Sequence, residues 1–147
     1  MPEKPLPHYD QDFYAWTLHN ARLLRQGRLS EIDAANIAEE LESMGKSQKR
    51  ALSNRLTVLI AHLLKWRYQA GGRSPSWRNA ITIQRIELQE LLEENPSLRP
   101  TLPVVLTAVY KKARLWAANE TQLEPSAFPA VCPFTAEQTL DNDYWPD

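Results

Sequence analysis

Cysteine is almost absent from this sequence, and the single one, Cys132, excludes an internal disulfide and any thiolate cluster for zinc or iron–sulfur. Long apolar runs are missing too. The densest stretch, Leu56 to Leu64, carries Thr57 and His62 and falls well short of the ~20 residues that span a bilayer, so no membrane association is expected. The opening MPEKPLPHYDQD lacks the basic-then-apolar order of a signal peptide, which makes the cytoplasm the expected compartment. There is no strand-period run of any length and no internal repeat. A Gly-x-Ser-x-Gly elbow, a phosphate loop and a repeated Glu-x-x-His motif are all missing, so no nucleophilic serine, cofactor or metal site is expected.

What is present points to an all-α fold. A chain of 147 residues suits one domain, and one that size can bury enough surface to need no staple. Residues 1–9 hold three prolines and read as a flexible or loosely docked lead-in. Asp10 or Asp12 can cap a first helix with an apolar face of Phe13, Trp16, Leu23 and Leu24, stopped by Gly27. A second helix starts near Ser30, helped by Asp33, and ends or bends at Gly45; Ala34, Ile37, Ala38, Leu41 and Met44 share one side. The third, Ser47 to about Gln69, is apolar more than half-way round and should be central; its polar seam is Gln48, Arg55, His62 and Gln69.

Gly71, Gly72 and Pro75 make a turn, and Ser76 can cap a fourth helix that Pro96 stops at Asn95. That helix buries Trp77, Ala80, Ile81, Leu88, Leu91 and Leu92, leaving Ile83 and Ile86 on the opposite side. Thr101 with Pro103 opens a fifth helix, whose seam is Leu102, Val105, Leu106, Val109, Ala113 and Trp116. Residues 122–147 are proline-spaced but apolar at Leu123, Phe128, Val131 and Phe134, so they should lie across the outside of the bundle. Thr135 and Gln138 form a capping box for one short helix there. The expected architecture is an up-and-down bundle over 10–121 with an extended segment over 122–147.

Taken together, the strings NIAEELESMGKSQKRAL, HLLKWRYQ, SWRNAITIQR, NPSL and FPAVCPFTAEQTLDNDYWP resemble the bacterial domain-of-unknown-function family DUF29, over nearly the whole chain from Tyr9 to Pro146. The resemblance implies an all-helical bacterial protein and brings no activity, cofactor or catalytic residue with it.

Net charge is only −1, but charge is unevenly spread. From Lys46 to Arg85 there are nine Lys or Arg and no acid, between two stretches rich in Asp and Glu. Arg67, Arg73, Arg78 and Arg85 alternate with Trp66, Tyr68 and Trp77, a mixture suited to gripping phosphate and stacking on bases. Lys65, Arg73, Trp77, Arg78 and Arg85 are therefore the candidate ligand-binding residues, for nucleic acid or another polyanion. The other reading neutralises these cations with Asp33, Glu39, Glu40 and Glu42 of neighbouring helices.

A second constellation is polar: His62 with Glu39 or Glu40 across helices two and three would make an acid–base pair, against a structural His62 bonding across the bundle. Cys132 reads as a small buried hydrophobe. Ile83 and Ile86 would serve a homodimer or protein partner unless residues 122–147 cover them. The reading leans to a non-enzymatic helical interaction module for a polyanion. Its alternatives are an antitoxin-like or structural protein partner, and an enzyme built on the Glu–His pair.

Overall fold

The computed structural model describes residues 6–147. The first five residues of the expected lead-in therefore lie outside the described residues. The fold is all-α, with α1 (Phe13–Arg25), α2 (Ala34–Tyr68), α3 (Pro75–Glu94), α4 (Leu102–Thr121) and α5 (Ala136–Leu140), and no strand among the described residues. It divides into two compact units, Met1–Lys46 and Ser47–Asp147, and the division falls inside α2.

In the first unit, the Asp12 carboxylate accepts from the Ala15 amide and starts α1, while Gly27, at φ +71°, takes the left-handed turn that ends it. Trp16 and Leu23 are buried; Phe13 and Leu24, expected on the same face, stay exposed. Tyr9 packs edge-on against Phe13 and Trp16 and donates its hydroxyl to Glu40. Asp33 joins the two helices. Its amide donates to Asn20 at 2.8 Å, its carboxylate accepts from the Trp16 indole at 2.9 Å, and it caps α2. The bonds from Asn36 and Trp16 hold that carboxyl below its ordinary range.

Helices two and three of the sequence reading are one helix. Gly45 does not end it: its φ is not positive, and its neighbours favour helix strongly enough to carry a residue that costs about 1 kcal/mol there. α2 starts at Ala34 rather than near Ser30, because Asp33 is the residue that supplies the cap.

In the second unit, the later part of α2 is enclosed. Leu52, Leu56, Leu59, Ile60, Leu63 and Leu64 are all fully buried, each contributing roughly 1.5–3 kcal/mol. Gln48 bonds Asn95, Arg55 pairs with Glu87 at 3.5 Å, and Lys65 lies by Trp77, so α2 and α3 run antiparallel. Lys65 also pairs with Glu120, and the Gln69 amide reaches the Thr121 carbonyl at 3.3 Å, so α4 runs parallel to α2. The expected polar seam thus ties α2 to both neighbours. α4 buries Leu102, Leu106, Val109 and Ala113 as expected, but Trp116 faces outward and Tyr110 and Ala117 complete the seam.

Residues 122–147 lie on the outside, anchored by buried Phe128 and Phe134 and by α5, whose Thr135–Gln138 capping box is fully formed. Val131, expected to be covered, is exposed.

Candidate functional site

The turn between α2 and α3 gathers the basic and aromatic side chains. A short 3-10 turn, Ala70–Gly72, follows α2, and Ser74, not Ser76, caps α3 by accepting from the Trp77 amide at 3.2 Å. Pro75 then sits at the first helical position, where its missing N–H costs nothing. Gly72 is required by packing. A Cβ there would meet the edge of the Trp77 ring at 2.6 Å, so only glycine lets that indole lie against the turn.

The candidate cations separate by burial. Lys65 is only 4% exposed, paired with Glu120 and 4.9 Å from the Trp77 ring. Arg85 is 1% exposed. Spacing explains this: Arg85 follows Ile81 by four residues and precedes Leu88 by three, which places it on the core face of α3. Both residues are held inside the second unit instead of contributing to an open surface. Arg67, Arg73 and Arg78 are exposed and grouped by aromatic rings. Arg73 and Arg78 lie 5.0 and 5.9 Å from the Trp66 ring, and Arg67 lies 5.4 Å from that of Tyr68. The ion pairs among the described residues are Arg28–Glu31, Arg55–Glu87 and Lys65–Glu120, so none of these three arginines is in one.

Arg73 and Arg85 bond backbone carbonyls instead. A proline-spaced segment has no ladder or helix to satisfy its carbonyl groups and loses a donor at each proline, so donors must come from elsewhere. Arg85 supplies Nε to the Thr139 carbonyl at 2.9 Å and Nη2 to that of Gln138 at 3.2 Å, at the C-terminal end of α5. Gln89 reaches the Leu140 carbonyl at 3.0 Å, Arg114 that of Phe128 at 3.0 Å, and Tyr110 that of Pro129. Arg73 bonds the carbonyls of Trp66 at 2.8 Å and Pro146 at 3.2 Å. Trp145 packs on Trp66 at 4.8 Å and lies 5.5 Å from the Arg85 guanidinium. Burial lowers the pKa of Arg85, opposed by Asp141 and Tyr144, yet a guanidinium stays charged at any accessible pH.

Sequence reading had not singled out Gln89, Tyr110, Arg114 or Trp145. Their signal lies in the spacing. Arg85 with Gln89 and Tyr110 with Arg114 are i, i+4 pairs of polar side chains, each bordering an apolar face.

The polar constellation is not brought together. Glu39 and Glu40 stand 23 and 22 residues upstream of His62 on the same helix, not on a facing one, and Glu40 is engaged by Tyr9. His62 Nδ1 lies 2.8 Å from the Val58 carbonyl, a local bond within α2 instead of one across the bundle. Burial lowers its pKa, with Lys65 adding to the effect and the Val58 bond and Glu120 opposing it. Burial also pushes Glu120 up, but the bonds from Lys65 and Trp116 outweigh it and hold the carboxyl below its usual range. Among the described residues no group of three His, Cys, Asp or Glu is placed to hold a metal ion.

Cys132 is half-buried, its thiol facing the Phe134 carbonyl, and burial raises its pKa. Ile83 and Ile86 are 53% and 47% exposed; residues 122–147 do not cover them. No described helix is long and apolar enough to cross a membrane.

Neither a curated protein nor a solved structure matches this chain. A family model does, over residues 8–145, which is nearly all of the sequence and contains the arginine-bearing turn and all but the last two residues of the closing segment. The chain belongs to the family described as Domain of unknown function DUF29.

Proposed function

We propose that this protein is a polyanion-binding module whose contact surface is narrower than the basic stretch of the sequence: Arg73 and Arg78 beside Trp66, Arg67 beside Tyr68, and Trp77 at the edge. The observation that carries the reading is that these three guanidinium groups are exposed, sit within reach of aromatic rings and form no ion pair among the described residues. Guanidinium groups take phosphate oxygens bidentately, and rings beside them suit the bases of a single strand. Lys65 and Arg85 belong to the scaffold of this surface.

The number of cations without an ion-pair partner sets the expected salt response. Three phosphate contacts on a single strand give a log–log slope of about −2, so affinity for a labelled 12-nucleotide single strand should fall roughly 20-fold between 50 and 200 mM salt. Arg67→Ala with Arg78→Ala should flatten that slope to about −0.7. No binding at 50 mM salt, or a slope unmoved by the double variant, sinks the reading.

A second reading rests on Ile83 and Ile86, whose exposure on α3 suits a protein partner or a second copy. A change of mass in solution on Ile83→Glu would favour it.

A further inference from the structure

The arginine–aromatic surface already carries an occupant from its own chain. Residues Asp141–Asp147 read DNDYWPD, three carboxylates and two aromatic rings in seven positions. Trp145 stacks on Trp66, the ring that Arg73 and Arg78 also approach, and the Pro146 carbonyl takes a hydrogen bond from Arg73. A flat ring to stack and an oxygen to accept from a guanidinium are also what a single-stranded nucleic acid would bring. Asp141, Asp143 and Asp147, in the same seven residues, are exposed.

This stretch is fastened by other means than the rest of the closing segment. It has no helix, and its own turn is made by the Tyr144 amide on the Asp141 carbonyl at 3.1 Å and the Asp143 amide on the Asp141 carboxylate at 2.9 Å. Beyond that it is held by the Arg73 bond, the Trp145 stack, the Arg85 guanidinium over the Trp145 ring, an edge-on contact of Tyr144 with Phe134 and the burial of Pro146, with Tyr144 and Trp145 packed against the core. Phe128, Phe134 and α5 are anchored in the core and by Arg85. Displacing residues 141–147 would therefore uncover the Trp66 ring as well as Arg73, while Phe128, Phe134 and α5 still hold 122–140.

The geometry points to residues 141–147 as a tethered competitor: an acidic and aromatic strip that occupies the Arg73–Trp66 surface and must be displaced before a single strand stacks there. This rests on the polyanion reading above and adds its regulation. A tethered occupant acts at an effective concentration in the millimolar range, so even weak docking suppresses an external ligand.

The test compares the full chain with a chain stopped after Asn142 and with full-length Trp145→Ala, each checked by circular dichroism. The probe is the labelled 12-nucleotide strand at 50 mM salt. Both variants should bind at least fivefold more tightly than the full chain, and the free peptide LDNDYWPD should displace the strand from the shortened chain. Hydrogen exchange on the unaltered full chain gives a readout that no unfolding of a variant can spoil: adding the strand should speed exchange within 141–147. Equal affinity of full and altered chains, with exchange there unchanged, overturns the competitor while leaving the surface intact. Absence of binding by every form overturns the surface itself, and the competitor with it.

Discussion

Arg85 shows how one side chain decides the meaning of a charge-rich stretch. Its Nε and Nη2 bond the carbonyls of Thr139 and Gln138, and its stem fills space beside Ile81 and Leu88, while Nη1 is buried without a partner. Truncation to alanine removes the packing and both of those bonds. Arg85→Ala should therefore lower the unfolding free energy by about 3 kcal/mol, measured by urea denaturation. Arg85→Met keeps most of the stem and sheds a buried charge, and should cost about half as much. A loss under about 0.5 kcal/mol for alanine would mean the closing segment is held by its apolar anchors alone. The spacing that buries Arg85 was legible in the sequence, since it falls between Ile81 and Leu88. Its partners were not, because they are backbone carbonyls and every residue type offers one.

Among the elements, α2 is where local signals and outcome diverge most. Glycine after a Met and before a Lys reads as a stop, yet nothing lies within 4 Å of a Cβ built at Gly45 and its φ is not positive. Gly45→Ala should then raise stability by about 0.5–1 kcal/mol, mainly by restricting the unfolded chain, and lift the melting temperature by about 2–4 °C. A drop in melting temperature would show that the position needs glycine. Elements fixed by short-range chemistry were readable residue by residue: Asp12 before Phe13, Gly27 after Arg25, Thr135 with Gln138, Pro103 near the start of α4. So was the enclosure of Leu56–Leu64, since an apolar pattern that wide has no face left for water. What escaped was whether two helical stretches join. That depends on the summed propensity of both flanks against one residue's cost, and no single position displays the sum.

At the scale of the whole molecule, one histidine links folding to pH. The folded chain holds His62 below the ordinary 6.5, chiefly through burial, so the unfolded chain takes up the proton first as pH falls. The contribution is complete above about pH 6.5 and is lost progressively as pH falls through the folded value, with a limiting slope of about 1.4 kcal/mol per pH unit. Glu120 and Asp33, also lowered, act in the same direction but only below about pH 4.5, the ordinary carboxylate range. Urea midpoints should therefore decline between pH 6.5 and 5.0 in the natural chain and stay flatter in His62→Gln. Identical pH dependence for the two would remove His62 as the cause.

The bonds that fasten residues 122–147 join permanently ionised or neutral donors to peptide oxygens, and neither side changes protonation in any ordinary buffer. Such ion–dipole contacts have no counter-charge for dissolved ions to replace, so they fade far less with ionic strength than a grip on phosphate does. Concentrated electrolyte would thus strip a foreign strand from Arg73 and leave the molecule's own strip in place. Cellular ionic conditions, with no change of shape elsewhere, would then set which of the two holds the arginine.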